Sequence, residues 1–88
     1  MNIQNIIKTT TENLSIEEIS ELLKMQIDDL IDLHHTLGQD IRNNYDLWFD
    51  ESLCLEFEKH IGYSHPDDIS MYIIEQVWTK LQEEYKTE

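Results

Sequence analysis

Chain breakers and cations are both scarce in this sequence. Two glycines and one proline occur among 88 residues, so the pattern reads as helical almost throughout. Six Lys and Arg stand against nineteen Asp and Glu, a net charge of −13. Such a chain repels phosphate, which argues against a nucleic-acid ligand or an anionic membrane surface and in favour of a basic protein surface as partner. The single cysteine, Cys54, can close no internal disulfide, in keeping with a reducing compartment. Its neighbours Leu53, Leu55 and Phe57 predict a buried, unreactive thiol. No run approaches the roughly 18 apolar residues needed to cross a bilayer, and the opening MNIQNIIKTTTENLS lacks the apolar core of a signal peptide. The expectation is a soluble, cytoplasmic protein.

A chain of this length forms one domain and buries only about 60–65% of its unfolded surface, which leaves little room for a deep substrate cavity. The acid is spread rather than gathered in a tail. Residues 1–44 carry eight acidic and three basic groups, and residues 45–88 eleven and three.

Residues 1–14 read as an arm or a short helix ahead of a single helical domain over 15–88. Ser15 opens a capping box with Glu18, so a helix starts there. After a bend near Lys24–Gln26, Ile27, Leu30, Ile31, His34, Leu37 and Ile41 recur at helical spacing, with Asp28, Asp29 and Asp32 on the opposite side. Gly38 sits inside this pattern. Because Ile41 continues the stripe, Gly38 is read as permitting close approach of another backbone rather than as a helix end. NNYDLWFDES is a polar loop carrying two aromatics. Asp50 or Ser52 then caps a short helix that Gly62 stops.

The stretch YSHPDDISMYII begins the last helix, with Ser64 or His65 as N-cap, Pro66 in the first turn, and Asp67 and Asp68 complementing the helix dipole. Ile69, Ile73, Val77 and Leu81, with Ile74, Trp78 and Tyr85 alongside, form a stripe broad enough for a central element. The fold class expected is a compact all-α bundle of four or five short helices.

Cys54, His60, His65 and Asp67 or Asp68 are ligand types that suit zinc, but their spacing fits no compact metal motif. Catalysis by the paired aspartates needs a pKa-shifting partner and a cleft, and neither is visible. No cofactor, metal or catalytic residue is therefore assigned. His34 reads as a boundary histidine on the apolar stripe and His35 as solvent-facing. Among Trp48, Phe49, Phe57, Tyr72 and Trp78, only Trp48 is expected to be exposed. Arg42, the sole arginine, has the planar fork to hold its loop against Asp67 or Asp68.

Together, LHHTLGQDIRNNYDLW and HPDDISMYIIEQVWTKL resemble a family of small, uncharacterised bacterial domains with the pattern LG..IRN...LW...HPDD.S. The resemblance covers roughly residues 30–81 and marks Leu37, Gly38, Ile41, Arg42, Asn43, Leu47, Trp48, His65, Pro66, Asp67, Asp68 and Ser70 as signature positions. It implies no activity. This chain has Tyr45-Asp46 where other members often have an aromatic followed by Gly, which implies a stiffer loop, and residues 1–14 find no counterpart. In size and acidity alone the chain is similar to colicin-type immunity proteins and to mobile-element inhibitors of defence systems, which often imitate the charge of nucleic acid.

The function expected is a non-enzymatic, acidic protein-binding module of inhibitor, immunity or anti-defence type, docking on a basic protein such as a nuclease or defence effector. Asp28, Asp29, Asp32, Asp46, Asp50 and Glu51 are the candidate contacts and Trp48 the anchor. The alternative is a small regulatory or structural domain with a specific pocket around IRNN and HPDD, with or without a metal.

Overall fold

The structure, a computed structural model, describes residues 2–85. Five α-helices and one 3₁₀ helix make it all-α: α1 (Ile3–Glu12), α2 (Ile16–Lys24), the 3₁₀ segment (Ile27–Leu33), α3 (Leu37–Asn44), α4 (Glu51–Ile61) and α5 (Pro66–Tyr85). Every other element packs on α5. Its Ile69, Ile73, Ile74, Val77 and Leu81 are almost wholly buried, so the longest apolar stripe becomes the centre of the core. Leu22, Leu30, Ile41 and Phe57 close around it from four different elements.

α1 is an integral layer of this core. Ile6 and Ile7 are buried, and Thr10 and Thr11 return their hydroxyl hydrogens to the carbonyls of Ile6 and Ile7, at 2.7 Å each. Tyr45 ties the helix to the end of α3 through its hydroxyl, 3.0 Å from Thr10 Oγ1. The expected capping box starts α2: the Glu18 amide donates to Ser15 Oγ at 3.1 Å, and the Ser15 amide donates to Glu18 Oε1 at 2.8 Å. The bend after Lys24 is present, with Met25 and Gln26 extended.

The second helical pattern differs from expectation. Instead of one α-helix running through Gly38, residues 27–33 form a 3₁₀ helix and α3 begins afresh at Leu37. Asp and β-branched Ile are weak α-formers, and Asp29 satisfies the Gln26 amide at 3.0 Å, which favours a tight local turn. The change of period turns only Leu30 fully inward and leaves Ile27 and Ile31 exposed. Gly38 is buried in the first turn of α3. A Cβ there would lie 3.3 Å from the Leu33 carbonyl oxygen and 3.1 Å from Arg42 Nη1, so the glycine does permit a close backbone approach.

α3 ends in a Schellman motif. The Leu47 amide donates to the Arg42 carbonyl at 3.0 Å and the Asp46 amide to the Asn43 carbonyl at 3.3 Å. Asp46 stands at the left-handed position with φ 54°. Its carbonyl accepts in turn from the amides of Phe49 and Asp50, and Asp50 Oδ1 caps α4 by accepting from the Leu53 amide at 3.0 Å. Trp48 and Phe49 are thus carried on a short turn pinned by buried Leu47 on one side and a helix cap on the other.

Candidate functional site: an acidic apolar groove beside a buried arginine

Arg42 is the only buried cation among the described residues. Its Nη1 donates to Ser70 Oγ at 2.9 Å and its Nη2 to the His34 carbonyl at 3.0 Å, while Nε lies 3.6 Å from Asp67 Oδ1. The guanidinium therefore joins three elements: α3, the residue after the 3₁₀ segment and the first turn of α5. Asp67 is the carboxylate it approaches. Asp68 is exposed in the same turn and takes no part. The contact with Asp67 is a single approach rather than a two-pronged grip, and most of the hold on Arg42 comes from the neutral oxygens of Ser70 and His34.

Two histidines frame the same carboxylate. His34 is half-buried, with Nδ1 3.5 Å from Arg42 Nη1 and Nε2 3.9 Å from Asp67 Oδ2, as suits a boundary histidine. His65 is the N-cap of α5: its Nδ1 accepts from the Asp67 amide at 3.1 Å. Asn43 acts through its backbone, as acceptor of the Schellman bond from Asp46. Instead of an open pocket, the junction of IRNN and HPDD holds the guanidinium itself. No three His, Cys, Asp or Glu side chains among the described residues are placed to hold a metal ion.

The accessible recess lies one step further out. His65 packs edge-on against Trp48, ring centres 5.6 Å apart. Beside them Leu47, Trp48, Glu51, Cys54, Leu55, Ser64 and Pro66 line an open groove of about 350 Å³. None of these lining residues is a cation. Trp48 is exposed as expected, but Phe49, expected in the core, is more so at 80%. Leu55 and Tyr63 are also exposed. A tryptophan and a phenylalanine confined to the short link 45–50 between two capped helices cannot both turn inward, and Leu47 takes the buried place.

Cys54 corrects an expectation. The thiol is unpaired but only half-buried, and it lines the groove while donating to the Leu47 carbonyl at 3.2 Å. Desolvation, and then the nearby charges of Asp50 and Glu51, push its pKa up.

The six candidate acidic contacts fall into two separate sets, all of them exposed. Asp28, Asp29 and Asp32 ride on the 3₁₀ segment, interleaved with exposed Ile27 and Ile31, and Asp29 doubles as its cap. Asp46, Asp50 and Glu51 surround the Trp48 turn, and only Glu51 reaches the groove lining. Sequence reasoning missed Leu55, Ser64 and Phe49. Leu55 could have been found, because the spacing of Leu53, Phe57 and Ile61 on α4 leaves Leu55 off the inward face.

The family model for a domain of unknown function, DUF6794, matches residues 1–81. The chain belongs to that family. The match begins at residue 1, so the DUF6794 domain includes α1, in agreement with the place of that helix in the core. No curated protein and no solved structure gives a significant match.

Proposed function

We propose that this DUF6794 domain is a non-enzymatic protein-binding module whose acidic surface docks on a basic protein, in the manner of an inhibitor, immunity or anti-defence protein. One observation carries the reading: an apolar groove bordered by exposed Trp48 and Leu55 opens on a strongly acidic chain, with a glutamate and no cation in its lining. Exposed apolar surface of this kind marks interaction sites, and aromatic residues at such sites supply much of the binding energy. The surrounding acid accelerates encounter with a basic partner and disfavours acidic ones.

The test is capture from a lysate at low and high salt with three proteins in parallel: wild type, Trp48→Ala, and the triple variant D28N/D29N/D32N. A basic protein retained at low salt by wild type, and lost by at least one variant, supports docking. Identical capture by all three contradicts it, as does capture that is indifferent to salt.

A further inference from the structure

We infer that the groove between α4 and the start of α5 receives one face of a basic amphipathic helix supplied by a partner protein, with two large apolar side chains one turn apart seated beside Trp48. This deepens the docking function proposed above and rests on it. The groove is large enough for two such side chains. An enclosed cavity of about 150 Å³ holds one benzene-sized group, so the groove's roughly 350 Å³ has room for two. Side chains at i and i+3 or i+4 of a helix present such a pair on one face.

The groove also favours an occupant that satisfies its own backbone. The groove is walled by two helices, α4 and the start of α5, with no strand beside it, and by the Trp48 turn, where the amides of Leu47, Phe49 and Asp50 are already bonded. An extended peptide would find no sheet edge to pair with. A helix satisfies its own backbone and needs only a complementary apolar face.

Charge selects a basic occupant. Covering Glu51 with apolar surface alone would strand a carboxylate, so the occupant must bring a cation to it. Asp46 and Asp50, in and next to the same turn, favour further cations at the rim, and the exposed ring of Trp48 offers a face on which Arg or Lys can rest. A second copy of this chain is disfavoured for the same reason, since it would bring a net charge of −13 against the same acidic rim.

The experiment uses a peptide of about 18 residues, five helical turns, built from Leu and Lys with Leu at helical spacing. Two controls accompany it: a peptide of the same composition with Leu and Lys strictly alternating, and oligolysine of equal charge. Binding to the full chain is measured by fluorescence anisotropy for wild type, Trp48→Ala, Leu55→Glu and D28N/D29N/D32N, with circular dichroism confirming that each variant is folded. The inference expects the helical peptide to bind best and Leu55→Glu to weaken it at least about tenfold, the effect of losing one buried leucine-sized contact. Because Leu55→Glu adds negative charge, oligolysine should bind that variant as well as wild type or better. If Leu55→Glu and Trp48→Ala bind the helical peptide as wild type does while the triple Asn variant does not, the groove is not the site and acidic docking alone stands. Equal binding of the alternating peptide also overturns the helix. If no basic peptide binds wild type at low salt, both the groove and the docking function proposed above fail.

Discussion

Replacing Arg42 with alanine removes the one side chain that links α3, His34 and the start of α5. The cost can be worked from its contacts. Two hydrogen bonds from a charged donor, to Ser70 Oγ and to the His34 carbonyl, contribute roughly 1.5 kcal/mol each. Packing of the buried aliphatic stem adds up to about 1 kcal/mol. The approach to Asp67 is 3.6 Å and that side chain is 42% exposed, so solvent screening holds its contribution to about 0.5 kcal/mol or less. Ser70 keeps a partner, because its hydroxyl donates to the Asp67 carbonyl at 2.9 Å. The expected loss is therefore about 3–4 kcal/mol, a large share of the roughly 5–15 kcal/mol that stabilises a domain, and corresponds to a drop in Tm of roughly 15–25 °C. Arg42→Lys keeps the charge but not the fork, and should lose about half as much. Urea titration of wild type and both variants, followed by circular dichroism, reads these values. A loss below about 1 kcal/mol for Arg42→Ala would refute the account of Arg42 as a structural tie. Binding should weaken in step with stability, because Arg42 and the Leu47–Trp48 turn share the end of α3. Unchanged stability with lost binding would instead make Arg42 a contact residue.

Replacing Asp28, Asp29 and Asp32 together by Asn should leave stability unchanged or raised, since Asn also caps and self-repulsion falls, while partner association slows and loses salt sensitivity; stopped-flow measurement at two salt concentrations checks this. Asp46→Gly should hold or raise stability by up to about 1 kcal/mol, whereas Asp46→Ala should lower it by about 1 kcal/mol, because only the glycine takes the left-handed position without steric cost; thermal melts decide. Cys54 should react slowly with thiol reagents at neutral pH despite its partial exposure, and its labelling rate should keep rising with pH beyond the midpoint of a thiol in an unfolded chain, because its pKa is raised. The neutral thiol is the form the fold favours. Stability from this group is therefore complete below the unfolded thiol's pKa and declines as pH climbs through the raised one.

Much of the fold was legible before the structure. The Ser15 capping box, the HPDD helix start and the long stripe from Ile69 to Leu81 all rest on local chemistry, which the sequence displays directly. The 3₁₀ segment was not legible, because Ile27, Leu30 and Ile31 fit an α-helical period and the tighter turn turns on local competition by Asp side chains. The tie from Arg42 to Asp67 was legible as the sole arginine among abundant carboxylates, but its main partners, Ser70 Oγ and the His34 carbonyl, depend on tertiary placement. The same holds for the groove. Trp48 and Glu51 stood out in a polar loop, whereas Leu55, Ser64 and Pro66 join them only once α4 has packed beside the start of α5. Asp46 is the instructive case: its φ of 54° puts an aspartate where glycine would sit without steric cost, a conformation set by the closing of α3 rather than announced by the residue.

Docking of a basic partner in the groove beside Trp48 is tested most directly by amide and methyl NMR shift mapping. With the basic helical peptide, or a captured basic partner, titrated into isotope-labelled protein at low salt, the account predicts shifts centred on the Trp48 indole, Cys54, Leu55 and Ser64, with smaller changes at Asp46 and Asp50. Shifts confined to residues 27–33, or spread evenly over the acidic surface with the Leu55 methyls unmoved, would contradict it.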